Sequence, residues 1–406
     1  MESLALTGMS RFRSGDLNQI LSSSSSSALK YSADTIGPPS FQAVDSSPLG
    51  DVPPGALVLH GNWYMREEAI CGQRGELFAR AGYQHTKDWY ATTVPTTALG
   101  TLIQNGIYPD PYIGLNKLRI PDASESHNTR YDLSRFSHLA NHSNPWTRPY
   151  WFRTEFQIPE ALDRDLIWLH LDGINYRADV WLNGQQVGYA NQLVGMFERF
   201  RLNVTNAIHR NQVNALAVRI QGLDYPGDPI DEQLGGIGGE FGPNGGDGEI
   251  LRNVTQYCTV GWDWVAAARD RNLGIWQHVW LEGTGRLVVR DAAGSAALRK
   301  HDSAALITVK GLCGNPTTLP ITTELRVHIQ PDGFAAESIS LHALKTIKPG
   351  ESQEVILTAE QHPELILHRP ALWWPVGYGE QPLYTLTIEA WVGVSSSTEN
   401  SPLWGV

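Results

Sequence analysis

From Tyr150 onward, apolar and polar residues alternate in short runs broken by turn residues. YWFRTEFQI (150–158) sets Tyr150, Phe152, Phe156 and Ile158 on one side and Arg153, Glu155 and Gln157 on the other. That is the period-two pattern of a strand with one buried face. LIWLHLD (166–172), RADVWLNGQQVGYA (177–190), NALAVRIQG (214–222) and IWQHVWLEG (275–283) repeat it. Asn183-Gly184 stands between two such runs, and a type I′ hairpin turn favours that pair because both central residues take positive φ. Earlier, ALVLHGNWYMREEA (56–69) is an apolar run with a turn at His60-Gly61-Asn62. No helical stripe of useful length separates these runs. Many short strands with turn punctuation predict an all-β chain that begins with a sandwich or jelly roll.

The texture changes at Gly285. Tryptophan thins out, and RLVVRD, AALITVKGL, ITTELRVHI, SISLHALKTI, SQEVILT and YTLTIEAWV follow at short spacing, which predicts an immunoglobulin-like β-sandwich. The organisation read from these patterns is a disordered Ser-rich leader (1–54), a first strand-rich domain (55–284), a sandwich domain (285–395) and a tail (396–406). The leader is polar, aperiodic and carries the serine run Ser22 to Ser27, so it has little to bury.

Composition narrows the function classes. Charged residues make up 18% and hydrophobic residues 41%, a globular rather than a disordered balance. Trp 14 and Tyr 14 against Met 4 favour sandwiches and flat stacking surfaces over helical bundles. A net charge of −11 with no basic stripe argues against a nucleic-acid partner. No run approaches the roughly 18 apolar residues of a membrane span. MESLALTGMSRFRSGDLNQIL at the start has only a broken apolar stretch, with Glu2 near its head, so no signal peptide is read and the compartment stays open. Cys71, Cys258 and Cys313 are odd in number and lack CxxC spacing, which suggests neither a zinc site nor a disulfide framework, although one bridge stays open. Asn141, Asn203 and Asn253 sit in N-x-S/T sequons at near-chance frequency. No metal and no cofactor are expected.

Four stretches carry candidate chemistry. GWDWVAAARDRNLGIW (261–276) brackets Asp263 with Trp262 and Trp264, and Arg269, Asp270 and Arg271 follow. A tryptophan over a pyranose buries C–H surface while a neighbouring carboxylate accepts hydrogen bonds from hydroxyls, which is how proteins hold neutral sugars. Spacing alone fits two core tryptophans and an exposed aspartate more simply. Arg269-Asp270-Arg271 by itself reads as an internal salt-bridge cluster at a strand entry. ATTVPTTALGTLIQNGIYPDPYIGLN (91–116) reads as a rigid loop in which Pro109 and Pro111 hold Asp110 extended or in a turn. DYPGDPIDEQLGGIGGEFGPNGGDGEI (224–250) is Gly-rich and acidic; it meets no calcium-loop spacing and reads as a surface excursion rather than a cation site. PALWWPVGYGEQPLYTL (370–386) packs two tryptophans before the last strand.

The order of these motifs matters more than any one of them. VPTTALGTLIQNGIYPDPYIGLN, PYWFRTEF, LDGINYRADVWLNGQQVG, ILRNVTQYCTVGWDWVAAARDRNLGIWQHVWLE and PALWWPVGYGEQPLYTL together resemble glycoside hydrolase family 2. The likeness covers about residues 56–393 and is greatest to the exo-β-D-glucosaminidase and plant endo-β-mannosidase branch, with β-mannosidases next. It implies a sugar-binding jelly roll, galactose-binding-like in type, followed by the family's immunoglobulin-like domain. It also implies that Trp262, Asp263 and Trp264 reach into the active site of a separate (β/α)₈ barrel as sugar contacts. Asp110 and Asn116 then lie near the same cleft, and Arg269, Asp270 and Arg271 form the scaffold that aims the segment. VAAA replaces a stretch where relatives commonly carry proline, which makes the segment more pliable.

Retaining hydrolysis needs two carboxylic acids about 5–5.5 Å apart. The resemblance places both on barrel strands beyond the sandwich, so no residue here is named as catalytic. The expected ligand is a β-linked amino sugar or mannose-containing saccharide, and the expected partner is a barrel on another chain, unless that barrel was lost. The competing reading is a stand-alone lectin-like protein with no hydrolytic role.

Overall fold

The run at 150–158 forms the strand Tyr150–Phe156, third in a six-stranded antiparallel sheet. The order is Tyr90–Thr92, Trp63–Glu67, Tyr150–Phe156, Asn214–Gln221, Arg177–Leu182 and Gln185–Gly188. The computed structural model describes residues 52, 55–84, 88–123, 128–129, 133–222, 268–299 and 304–393. The expectations for the leader (apart from Val52 in 1–54), for 224–250, for Trp262, Asp263, Trp264, Asn253 and Cys258, and for the tail 396–406 lie outside the described residues.

Directly opposed residues share a face of the sheet. Met65, Phe152, Val218 and Val180 make one such row, and all four are fully buried. Burying side chains of this size contributes on the order of 1.5–3 kcal/mol each. Leu57–Val58, Val279–Thr284, Leu166–Leu171 and Phe200–Asn203 form a second sheet of four strands, with Ile167, Leu169, Leu171, Val279 and Leu281 buried. A third, small sheet pairs Gly274–Ile275 with Thr96–Thr97 on one side and Ile174–Asn175 on the other. The hairpin at Asn183-Gly184 forms as expected: φ is 52° and 84°, and Leu182 pairs with Gln185.

The far face of the Tyr150–Phe156 strand differs from its expected exposure. Trp151 and Arg153 are as buried as Phe152, because the segment after Glu67 folds over them. The short helix Gly75–Phe78 packs Phe78 and Ala79 onto Trp151, Trp181 and Ala217. Gly75 is required there: a Cβ would stand 2.4 Å from the Trp181 ring. Arg153 Nε donates to the Phe78 carbonyl at 2.9 Å and Nη2 to that of Arg80 at 3.2 Å, so its charge is buried with partners. Arg153 and Glu155 therefore bind a covering segment rather than water. Residues 91–116, read as a loop, also contain the helix Ala98–Gln104.

Contacts divide the chain into two compact units, one built on 57–158 and 169–281, the other on 282 onward with 159–168. In the second unit Val288–Leu298, Ala304–Gly314 and Ser352–Thr358 form one sheet, which Ile366–His368 extends. Ile339–Ile347, Ile321–Asp332 and Leu383–Val392 form the other. Period-two alternation holds: Leu325, Val327 and Ile329 point inward and join Leu341, Ile388, Ile307, Val309 and Leu357 in one core. The chain is all-β, a galactose-binding-like jelly roll followed by an immunoglobulin-like sandwich. Cys71 and Cys313 are free. Burial pushes their thiols up, to about 12 and about 11, so both are protonated at neutral pH. No helix among the described residues is long and apolar enough to cross a membrane.

Candidate functional site

Of the expected site residues, Asp110, Asn116, Arg269, Asp270 and Arg271 are described, and all lie in the first unit. The helix Ala98–Gln104 precedes the first two. Its N-terminus is capped twice: Thr97 Oγ1 accepts from the Gly100 N–H at 3.0 Å, and Asp270 Oδ2 accepts from that of Leu99 at 3.0 Å. Beyond Gly106 the chain turns at Asp110, whose Oδ1 accepts the Tyr112 N–H at 2.9 Å. The Asp110 carbonyl accepts the Asn116 side-chain amide at 3.0 Å. Asn116 thus closes the turn that displays Asp110, and the Asp110 carboxylate is exposed. Around it Tyr112, Ile113 and Leu115 are exposed as well, Tyr112 by 93%.

Arg269 and Arg271 are buried, and their anion is not Asp270 as the internal-cluster reading had it. Both grip Asp122: Arg269 Nη1 donates to its Oδ2 at 2.6 Å and Arg271 Nη2 to its Oδ1 at 2.7 Å. Two guanidinium groups on one carboxylate make a short, charge-assisted clamp. Asp122 is held in turn, because its backbone N–H donates to Asn128 Oδ1 at 2.7 Å while its carbonyl accepts from Asn128 and Asn144. Asp270 points the other way and accepts from the backbone of Leu99 and Asn272. Burial raises its carboxyl above the usual 3.8, and those backbone donors work against the rise.

The clamp ties the elements of the site together. Arg269 Nε donates to the Lys117 carbonyl at 3.3 Å, directly beside Asn116, and the Ala123 N–H donates to the Arg269 carbonyl at 2.8 Å. Burial and the neighbouring Arg269 push the Lys117 ammonium below its ordinary value. Asn175 Nδ2 donates to the Arg271 carbonyl at 2.6 Å. Gly274, at φ 152°, lets this strand pass close to its neighbour, since a Cβ would lie 2.6 Å from the Thr96 carbonyl. A cleft of 280 Å³, counted with its open mouth, is lined by Trp146, Asn175, Gly222, Asp270 and Arg271 among others. Arg271 also donates to the Ala268 carbonyl. Gly222 thus lines this cleft, and Ala268 is bonded to Arg271, which lines it too.

Asp122, Asn128, Asn144 and Asn175 escaped the sequence reading. The one usable signal was a charge count: two buried arginines around a single aspartate need a second anion. Nothing local names Asp122 as that anion, 149 positions from Arg271.

Two family models match the chain: a glycosyl hydrolase 2 galactose-binding-like domain over 133–277 and a glycosyl hydrolases family 2 domain over 295–400. The chain belongs to glycoside hydrolase family 2. Its sequence is 30% identical over 304 residues to a mannosylglycoprotein endo-β-mannosidase of Lilium longiflorum, covering 74% of this chain and 28% of that protein. It is 28% identical to an exo-β-D-glucosaminidase of Streptomyces avermitilis, over 78% of this chain and 29% of that one. The exo-chitosanase of Amycolatopsis orientalis shares the fold, with a TM-score of 0.58 at 24% identity, over 86% of this chain and 33% of that chain. The family 2 chain thus spans about a third or less of the length of these relatives, which are glycosidases.

Proposed function

We propose that this chain supplies the sugar-contact part of a family 2 glycosidase that acts on β-linked glucosaminides or mannosides. The domains are taken as 55–284 and 285–395. Trp262, Asp263 and Trp264 are the sugar contacts, Asp110 and Asn116 border the same cleft, and Arg269 and Arg271 aim the segment. The observation that carries this reading is the Asp122 clamp. It anchors the root of the WDW segment through two buried ion pairs and bonds it to the backbone beside Asn116. The names of the relatives supply the substrate class. The two carboxylates of the hydrolytic step come from a barrel outside these 406 residues.

The test is reconstitution. The 406-residue chain alone turns over no β-glucosaminide or β-mannoside, and activity appears when a matching barrel is supplied by fusion or as a second chain. Asp263→Ala then lowers kcat/KM by about 1.5–3 kcal/mol, ten- to a hundredfold or somewhat more, the cost of a charged hydrogen bond to substrate. Turnover by the chain alone overturns the reading, and so does an Asp263→Ala change that leaves the reconstituted enzyme untouched. Micromolar saccharide binding by the isolated chain points instead to the lectin-like role.

A further inference from the structure

The buried end of the Asp110 loop is held by a chain of three polar side chains that the site described so far does not use. Tyr108, two residues before Asp110, is 4% exposed. Its hydroxyl lies 2.9 Å from His138 Nδ1 and accepts the His138 backbone N–H at 3.3 Å. On the other side of the ring, His138 Nε2 meets Glu67 Oε1 in a short hydrogen bond. Glu67 is completely buried at the end of the strand Trp63–Glu67, and among the described residues its second oxygen has the Arg66 guanidinium, at 3.4 Å, to balance it. A buried carboxylate, an imidazole and a phenol in line is a costly arrangement for mere packing.

With Glu67 as a carboxylate and His138 as a neutral ring, donor and acceptor counting places the protons. As a carboxylate Glu67 can only accept, so Nε2 carries a hydrogen and donates to it. In the neutral imidazole Nδ1 is then a lone pair, and the one group that can fill it is the Tyr108 O–H. That leaves the Tyr108 oxygen free to accept from the His138 backbone, as observed. Every hydrogen has a partner in this tautomer. In the opposite one Nδ1–H and the backbone N–H both press on the phenol oxygen, and the Tyr108 hydrogen has no other acceptor among the described residues. Burial keeps the phenol protonated, since it raises the Tyr108 hydroxyl far above its ordinary value. Around the chain stand Arg66, whose guanidinium lies over the Tyr90 ring, and Tyr150, which burial also keeps neutral.

We propose that Glu67, His138 and Tyr108 form a positioning relay for the Asp110–Asn116 loop, in which Glu67 sets the His138 tautomer and the ring then holds the Tyr108 hydroxyl. All three are positioning residues: none reaches the exposed carboxylate of Asp110, and Tyr108 fixes the backbone from which that loop departs. The purpose assigned to the relay rests on the sugar-contact reading of the loop, whereas the relay itself is tested without any sugar.

The full chain labelled with ¹⁵N-histidine should show His138 as the Nε2–H tautomer. Tyr108→Phe removes one oxygen and keeps the ring. It should leave the tautomer unchanged and raise amide exchange about tenfold in the peptide spanning 109–119, with exchange across Ile321–Asp332 unaltered. Glu67→Ala removes the acceptor and should release the Nε2–H preference of His138, with the same rise in loop exchange, whereas Glu67→Gln, whose carbonyl still accepts, should retain the Nε2–H form. An Nδ1–H ring in the unmodified chain overturns the relay. So does a Tyr108→Phe protein whose loop exchanges at the original rate, or a Glu67→Ala protein whose loop does so.

Discussion

Arg271 and Asp122 stand 149 positions apart in the chain, and Arg271 Nη2 lies 2.7 Å from Asp122 Oδ1 inside the jelly roll. Arg269 takes the other oxygen of the same carboxylate. Removing the anion leaves two buried cations facing each other, whereas removing one arginine leaves a pair intact. Asp122→Ala should therefore be the worst single change at this site. It should cost about 3–5 kcal/mol, the usual penalty for breaking a buried ion pair. Arg269→Ala should cost less. Urea unfolding followed by tryptophan fluorescence gives both numbers, and equal losses would deny the shared clamp.

Asp270 gives a pH signature. Its carboxyl titrates above the usual 3.8 in the folded chain because burial disfavours its charge. A raised carboxylate favours folding fully at pH below its unfolded value, and that contribution disappears as pH climbs through the folded value. Asp270→Asn abolishes this dependence. The stability of Asp270→Asn relative to the unmodified protein should rise with pH above about 4, the unfolded carboxylate value. Paired denaturation curves across the acid range check it, and a difference that is flat with pH removes the assignment.

Gly75→Ala should destabilise the first unit by about 1–3 kcal/mol, the usual cost of overpacking. The new methyl meets the face of Trp181, which is itself pressed against Trp151 at 5.2 Å between ring centroids. Thermal unfolding measures the loss. Trp181→Phe in the same chain should recover part of it, because the smaller ring vacates the contact.

These positions also show how far the sequence could be read. The sandwich after Gly285 was legible because each strand has one wet face, so burial writes itself as alternation. Asn183-Gly184 was legible because few dipeptides tolerate two positive φ angles. Arg153 and Glu155 misled for the opposite reason: a charge facing a covering segment has the same composition as one facing water. The seven-residue helix Ala98–Gln104 is too short to show a stripe, and its caps, Thr97 and Asp270, are far apart in sequence. The arginine clamp needed a partner that only the fold brings near.

In the second unit Trp373, Trp374, Val376 and Tyr378 present a rigid apolar turn, with Val376 86% and Tyr378 82% exposed. The Trp374 N–H donates to the Glu380 carbonyl and Gln381 Nε2 donates to that of Trp374, so the backbone of this turn is held. Patches of this kind promote association. Sedimentation velocity of the 406-residue chain should show concentration-dependent self-association that Trp373→Ser with Val376→Ser reduces. A monomer at every concentration removes the prediction.

Asp122 also fixes where the chain re-enters the jelly roll at Ala268. Gly222 lines the cleft with Arg271, whose Nη1 donates to the Ala268 carbonyl, and Arg269 and Arg271 both pair with Asp122. A substitution at Asp122 therefore reaches the polypeptide at Gly222 and at Ala268 together, because Arg271 touches both places.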